Sequence, residues 1–140
     1  MQKKINILLV EDNEGDVVLM LEAFKGHSAR LNISVIDNGE AALLSLKSAA
    51  AILPDLIILD INLPKVDGRE VLHFVKNDNE LKKIPVVMLT SSSLQKDIEY
   101  SYNNCANCYI VKPGNLNDFI GTIHSIEKFW IHCVTYPQKN

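Results

Sequence analysis

Three unbroken apolar runs constrain the fold of this chain more than any other feature of its sequence. They are residues 7–10, 56–59 and 86–89. A strand with one face in water alternates between apolar and polar side chains, whereas a strand covered on both faces does not. The runs therefore predict buried strands of a parallel sheet. Two weaker candidates, at residues 33–36 and 109–111, complete the set of strands.

Segments with helical spacing follow each of these runs. The first helix is predicted from the apolar stripe Val17, Met20, Leu21 and Phe24. The next three are expected at Ala42, Leu43 and Leu46; at Val71, Leu72 and Val75; and at Leu94, Ile98 and Tyr102. The last helix has the longest stripe: Leu116, Phe119, Ile120, Ile123, Ile126 and Trp130. Asp16 is the predicted N-cap of the first helix, and Asn115 with Asp118 resembles a capping box before the last.

Strands and helices that alternate along a chain indicate a parallel sheet with helices on both faces. The predicted fold class is α/β, a (βα)5 flavodoxin-like, doubly wound parallel sheet with strand order 2-1-3-4-5. We expect residues 1–130 to form this domain and residues 131–140 to form a tail, which leaves no room for a second domain. The apolar residues Ile131, Val134 and Tyr136 either pack back on the domain or form a dimer or partner surface, and the sequence leaves both open.

Composition narrows the classes of function. The chain has 47% hydrophobic and 22% charged residues, which is sufficient for a buried core. Its net charge of -3 argues against a nucleic-acid partner. No apolar run approaches the ~18 residues that span a membrane, and the start does not resemble a signal peptide, so we expect a cytoplasmic protein. The odd number of cysteines, 3, fits a reducing compartment.

Polar side chains follow four of the predicted strands, at the point where each strand ends. Glu11 and Asp12 follow the first strand, Asp60 the third, Thr90 the fourth and Lys112 the fifth. In an open α/β sheet, ligands bind at the carboxyl ends of the strands, near the switch in strand order. We therefore expect these five side chains to face one another at one edge of the sheet.

The chemistry of this set points to phosphoryl transfer. Three neighbouring carboxylates repel one another unless a cation joins them, and an all-oxygen set favours Mg²⁺ or Mn²⁺. A lysine and a threonine hydroxyl are suited to hold phosphoryl oxygens. Asp60, at the end of a buried central strand, is the best candidate for a nucleophile that forms an acyl phosphate. Glu11 and Asp12 are better placed as metal ligands.

From about residue 5 to about residue 126, the chain resembles the receiver domain of two-component response regulators. Glu11 and Asp12 match the acidic pair of that family, Asp60 its phosphoacceptor, Thr90 its switch hydroxyl, and Lys112 its phosphate-binding lysine. The resemblance implies a protein that is phosphorylated by a sensor histidine kinase and then changes the surface formed by its fourth helix, fifth strand and fifth helix. It implies a phosphoacceptor that promotes its own phosphorylation and dephosphorylation, not a turnover enzyme.

The same resemblance assigns further roles. The backbone carbonyl of Asn62 is expected to be a metal ligand, and Tyr109 to be the aromatic residue that rotates when Thr90 moves towards the phosphate. Ser92, together with Asn62, is expected to influence the lifetime of the phosphate. The bond between Lys112 and Pro113 is expected to be cis.

A narrower resemblance is to the stand-alone receivers that partner bacterial phytochromes and related kinases. It is carried by residues 11–16 and 81–92 and by the pair Phe129-Trp130. It implies a phytochrome-type sensor kinase upstream and a protein or phosphotransfer partner downstream. It also implies a homodimer through the fourth helix, fifth strand and fifth helix.

Rival interpretations fit the residues less well. A phosphatase of the haloacid dehalogenase type needs a general acid two residues after the nucleophile, where this chain has Asn62. A flavodoxin-like FMN binder would not place Glu11 and Asp12 beside a phosphate. Cys105 and Cys108 form a C-x-x-C pair but lack two further ligands at zinc spacing, so we expect ordinary buried or loop thiols. A degenerate receiver that binds proteins without phosphorylation stays open as the alternative.

Overall fold

The computed structural model describes residues 4–27, 30–49 and 52–138, in which strands and helices alternate. The strands are β1 (Ile5–Val10), β2 (Leu31–Ile36), β3 (Leu56–Leu59), β4 (Val86–Thr90) and β5 (Cys108–Val111). The helices are α1 (Glu14–Phe24), α2 (Gly39–Lys47), α3 (Gly68–Asn77), α4 (Gln95–Asn103) and α5 (Leu116–Glu127). A 3-10 turn, Lys25–His27, follows α1, and a π-helical turn, Lys128–Cys133, follows α5.

The strands form one parallel sheet in the order β2-β1-β3-β4-β5, which confirms the predicted fold class. The strand order switches direction at β1, which pairs with β2 on one side and β3 on the other. Val10 lies opposite Leu59 in this register. The residues that follow these two positions therefore leave the sheet side by side, at the edge where ligands bind in such folds.

The core consists of two apolar clusters, one on each face of the sheet. Alternate residues of β1 and β3 supply both clusters, with Leu8 and Ile57 on one face and Ile7 and Ile58 on the other. Helices α2 and α3 cover the first face, and α1 and α5 cover the second. Because both faces are covered, apolar and polar side chains do not alternate along these strands, as their unbroken apolar runs predicted. No helix in residues 4–27, 30–49 and 52–138 is long and apolar enough to span a membrane.

Helix α1 begins earlier than its predicted cap. Asn13 is the N-cap, and its side-chain oxygen accepts a hydrogen bond from the backbone N–H of Asp16 at 3.0 Å. The prediction of Asp16 as the cap was wrong because its carboxylate instead accepts from Nζ of Lys112, at 2.9 Å. The predicted apolar stripe is also narrower than expected. Met20 and Phe24 are buried, whereas Leu21 is exposed.

The buried face of α4 is polar, which contradicts the predicted apolar stripe. Leu94 is 55% exposed and Tyr102 is 51% exposed, while Asp97 and Ser101 are the buried residues of the helix. Burial of these side chains is tolerated because both are hydrogen-bonded. Ser101 donates to the backbone carbonyl of Asp97 at 2.7 Å, and Asp97 has partners outside the helix that are described below.

The last helix begins as predicted. Asn115 is its N-cap and accepts from the backbone N–H of Asp118 at 2.9 Å, although Leu116, the first residue of the predicted stripe, is exposed. Beyond the helix, Ile131 is buried in the cluster that α5 covers. The hydroxyl of Tyr136 donates to the carbonyl of Trp130 at 2.7 Å. These two tail residues therefore pack back on the domain, whereas the domain boundary at residue 130 stays a prediction.

The expected cis peptide bond is absent. Every peptide bond in the described part of the chain is trans, including the one between Lys112 and Pro113. The trans form of a bond before proline is intrinsically more stable by about 0.5–1 kcal/mol. The cis expectation was therefore wrong for this structure.

Candidate functional site

Backbone pairing fixes where two acidic residues lie. The N–H of Glu11 donates to the carbonyl of Ile36 at 3.0 Å, and the N–H of Asp60 donates to the carbonyl of Val10 at 3.1 Å. These bonds continue the parallel ladders one residue past β1 and β3. Glu11 and Asp60 consequently lie side by side at the carboxyl edge of the sheet, on rigid central strands.

The carboxylates of Glu11, Asp12 and Asp60 form an acidic group. One oxygen from each lies within 4.8 Å of the others, and this is the only such group of three or more potential metal-binding side chains among the described residues. Glu11 is 2% exposed and Asp60 is 5% exposed, whereas Asp12 faces solvent. An all-oxygen set open on one side fits a hard divalent cation such as Mg²⁺ or Mn²⁺, which keeps part of its water shell.

Lys112 supplies the positive charge of the site. Its Nζ donates to Oε1 of Glu11 at 2.6 Å, to Oδ2 of Asp16 at 2.9 Å and to Oδ2 of Asp60 at 3.3 Å. Asp16 was not predicted as a member of this site. Its position in the first turn of the helix that follows the acidic loop was a signal that could have identified it.

The pKa values of Glu11 and Lys112 are both raised, but for different reasons. Burial raises the pKa of Glu11 to about 7, with a further contribution from the charge of Asp60, although Lys112 opposes the shift. For Lys112, burial alone would lower the pKa, but its hydrogen bonds to Glu11 and Asp16 and the charge of Asp60 raise the pKa overall. The lysine therefore stays charged at neutral pH, whereas Glu11 loses its proton at a higher pH than an ordinary carboxyl group does.

The loop after β3 packs tightly around Asp60. The backbone N–H of Asn62 donates to Oδ1 of Asp60 at 3.2 Å, and that of Gly68 donates to the carbonyl of Ile61 at 2.8 Å. A Cβ at Gly68 would lie 2.0 Å from the backbone oxygen of Asp60, so only glycine fits there without a shift of the loop. The role of the Asn62 carbonyl as a metal ligand stays a prediction.

Thr90 and Tyr109 meet at Ser92. Thr90 is fully buried at the end of β4, and its hydroxyl oxygen accepts from the backbone N–H of Ser92 at 3.4 Å. The hydroxyl of Tyr109 donates to the carbonyl of Ser92 at 2.8 Å. Lys112 is fixed in the same region, because its backbone N–H donates to the carbonyl of Thr90 at 2.8 Å. The two residues expected to switch thus share one contact residue.

The cysteine pair lies away from this site. Cys105 is exposed in a left-handed conformation with φ of 68°, and Cys108 is half-buried in β5. Burial raises the pKa of the Cys108 thiol, which disfavours the reactive thiolate form. Both cysteines are free thiols.

Residues 7–124 match the response regulator receiver domain family. Together with the five-stranded sheet and the acidic group at its carboxyl edge, this match shows that the chain belongs to that family, the receivers of two-component signalling systems. The family resemblance expected from the sequence is therefore confirmed.

Individual relatives resemble the chain over nearly its whole length. The chain is 42% identical over 135 residues to Response regulator Rcp1 of Synechocystis sp. (strain PCC 6803), covering 94% of this chain and 92% of that protein. It matches the crystal structure of Mn²⁺-bound Rcp1 with a TM-score of 0.92 at 40% identity, covering 96% and 99% of the two chains. It matches the phosphorylated cyanobacterial phytochrome response regulator RcpA with a TM-score of 0.91 at 42% identity, with the same coverage of 96% and 99%. The narrower resemblance to phytochrome-associated regulators is thereby confirmed.

Proposed function

We propose that this chain is a phosphorylation switch that accepts a phosphoryl group from a sensor histidine kinase on Asp60, with Mg²⁺ or Mn²⁺ bound. The observation that carries the proposal is the position of Nζ of Lys112, which contacts Asp60 and Glu11 beside the exposed carboxylate of Asp12. A nucleophilic carboxylate, a cation site and a fixed ammonium group within one cleft are the parts that transfer to an aspartate requires.

Each residue has a defined task in this scheme. A carboxylate oxygen of Asp60 attacks phosphorus, and the bond from phosphorus to the donor's nitrogen or oxygen breaks, with the electron pair leaving on the donor. Glu11, Asp12, Asp60 and the Asn62 carbonyl would hold the cation, which neutralises charge on the phosphoryl oxygens when bound. The ammonium of Lys112 and the hydroxyl of Thr90 contact the remaining phosphoryl oxygens.

Phosphorylation would be read out through Thr90 and Tyr109. Phosphate contacts that favour one of two existing conformations shift the population towards it. Thr90 and Tyr109 both contact Ser92, in the loop between β4 and α4, so a shift in either residue reaches α4 and β5. The surface formed by α4, β5 and α5 is thus the expected output surface.

Partners follow from this surface and from the relatives. Similarity to RcpA, described as a cyanobacterial phytochrome response regulator, supports a phytochrome-type kinase upstream. Exposed large apolar side chains on or beside α4, β5 and α5 support a homodimer or a downstream protein or phosphotransfer partner there: Leu94, Tyr102, Val111, Leu116 and Phe129. The net charge of -3 supports a partner other than nucleic acid, and we propose a cytoplasmic location.

Intact-mass measurement after incubation with acetyl phosphate and Mg²⁺ tests the proposal. We expect one phosphoryl adduct that disappears in Asp60→Asn and when the metal is chelated. Asp37→Asn is the matched control, because Asp37 is an exposed carboxylate just after β2 at the same edge of the sheet. No adduct under conditions that modify another receiver would refute the switch and favour a binding module that works without phosphorylation.

A further inference from the structure

A chain of polar contacts joins the two loops that border the proposed phosphorylation site. One loop follows β3 from Asp60 to the start of α3, and the other follows β4 from Thr90 to the start of α4. The connection passes through Asp97 in the first turn of α4, a residue that neither the acidic group nor the expected switch pair includes. Its carboxylate lies on the buried face of that helix.

Asp97 is held by two contacts that come from different elements. Its Oδ2 accepts from the hydroxyl of Ser92 at 2.6 Å, and its Oδ1 accepts from Nη1 of Arg69 at 3.2 Å. Asp97 is only 5% exposed. A buried carboxylate is costly unless it is paired and hydrogen-bonded, and both conditions are met here by groups outside α4.

Arg69 anchors this carboxylate to the loop that carries Asp60. Its Nη2 donates to Oδ2 of Asp67 at 2.8 Å, and Asp67 is the N-cap of α3. The next residue, Gly68, donates its backbone N–H to the loop residue just after Asp60, as described above. Asp97 is therefore tied through Arg69 to the backbone around the phosphoacceptor.

Ser92 transmits the position of Asp97 to the two switch residues. Its three polar groups each have a different partner: the N–H contacts Thr90, the carbonyl accepts from Tyr109, and the hydroxyl donates to Asp97. The contact with Asp97 is the shortest of the three, and hydrogen bonds to a charged acceptor are typically about twice as strong as neutral ones. The carboxylate thus fixes the loop where Tyr109 finds its acceptor.

We infer that Asp97 is a positioning residue of the phosphorylation site, which holds Ser92 so that Tyr109 and Thr90 both keep their hydrogen bonds to that residue. The inference rests on the proposed function and adds a residue to it. Loss of the contact leaves the loop free to leave this arrangement. Only a fraction of the molecules then has the loop in this arrangement. The apparent affinity for a phosphoryl group is the intrinsic affinity multiplied by that fraction.

Beryllofluoride binding in the presence of Mg²⁺ tests this, because the complex mimics an aspartyl phosphate. Asp97→Asn retains an acceptor for Ser92 but loses the charge that pairs with Arg69. We expect it to bind beryllofluoride at least about fivefold more weakly, at the lower end of typical coupling effects. Binding of Mg²⁺ alone should stay within about twofold, since Asp97 is not part of the acidic group. Glu99→Gln, which removes an exposed carboxylate from the same helix, should change neither.

A spectroscopic readout separates positioning from a general loss of stability. In protein labelled with 3-fluorotyrosine, the ¹⁹F signal of Tyr109, assigned with Tyr109→Phe, should move in Asp97→Asn and in Ser92→Ala. The effects of these two substitutions on beryllofluoride affinity should be non-additive, because both act on the same contact: Ser92→Ala removes its donor, and Asp97→Asn removes the charge of its acceptor. Glu99→Gln should leave the Tyr109 signal in place.

Arg69→Gln keeps the test decisive if Asp97→Asn fails to fold. The Arg69 side chain is 41% exposed, so its replacement is tolerated more easily, and it should weaken beryllofluoride binding in the same direction. Wild-type affinity in the folded variants overturns the inference. Failure of the unaltered protein to bind beryllofluoride with Mg²⁺ instead overturns the proposed function, so the two failures are distinguishable.

Discussion

Replacing Lys112 with methionine should destabilise the protein in a way that depends on pH and on Mg²⁺. The substitution keeps most of the aliphatic stem and removes the ammonium group, which contacts Glu11, Asp16 and Asp60. Two of these carboxylates are almost fully buried. Breaking a buried ion pair by removing one partner costs about 3–5 kcal/mol, because the remaining charge is left uncompensated. For a domain of this size, that corresponds to a loss of roughly 10–15 °C in Tm.

The sign of the pH dependence follows from Glu11. Burial already raises its pKa to about 7, and loss of the neighbouring ammonium raises it further. A carboxyl whose pKa is higher in the folded state binds more protons there, so its ionisation destabilises the fold as pH rises above the unfolded value of about 4.3. The difference in Tm between Lys112→Met and the unaltered protein should therefore be small at pH 5 and large at pH 8.

Thermal unfolding followed by circular dichroism at pH 5, 7 and 8, with and without Mg²⁺, checks this prediction. Saturation with Mg²⁺ should recover much of the loss at pH 8, because the cation supplies positive charge to the carboxylates that the substitution leaves unpaired and so stabilises the variant more than the unaltered protein. Lys96→Met, at an exposed position on α4, is the control and should show neither effect. An equal loss of Tm at every pH, unrelieved by Mg²⁺, would refute the electrostatic reasoning and assign the loss to packing.

Three further predictions concern other parts of the molecule. Because a carboxyl must lose its proton before it binds a metal, calorimetric Mg²⁺ affinity should fall by up to about tenfold per pH unit below the Glu11 pKa of about 7; a flat profile contradicts this. Gly68→Ala should cost about 1–3 kcal/mol and slow acetyl-phosphate labelling, because its Cβ would lie 2.0 Å from the Asp60 carbonyl, whereas Gly121→Ala, with nothing within 4 Å, should be stabilising. Burial alone would raise the pKa of Glu127, but hydrogen bonds with His124 and His27 outweigh burial and lower that pKa overall. The stability that the ionised Glu127 contributes is therefore lost as pH falls through its lowered pKa. Glu127→Gln should therefore lower Tm more at pH 6 than at pH 3, and an equal loss at both contradicts the ion-pair assignment.

The strands and the acidic group were predictable because both depend on local sequence and one general rule. Unbroken apolar runs mark strands that are covered on both faces, and the carboxyl ends of parallel strands share one edge. Glu11 and Asp60 are 49 residues apart in sequence, yet the register of β1 with β3 puts them side by side. No knowledge of side-chain contacts was needed to expect this.

The buried face of α4 was not predictable from the same information. An apolar stripe at helical spacing predicted that Leu94 and Tyr102 would be buried, but the buried residues of the helix are Asp97 and Ser101. The burial of Asp97 depends on Arg69, which lies 28 residues earlier and on another helix. The predicted cap of α1 was wrong for a similar reason, because the carboxylate of Asp16 accepts a hydrogen bond from Lys112, 96 residues later. Local periodicity carries no information about partners at such distances.

The charges around Lys112 set an order of events at the proposed site. When ionised, the carboxylates of Glu11, Asp12, Asp16 and Asp60 outnumber the single ammonium group that contacts three of them. A phosphoryl donor is itself an anion and would be repelled by this excess of negative charge. A divalent cation bound by the acidic group offsets most of the excess. Lys112 can then contact phosphoryl oxygens without leaving Glu11 and Asp60 uncompensated, so we expect metal binding to precede phosphorylation.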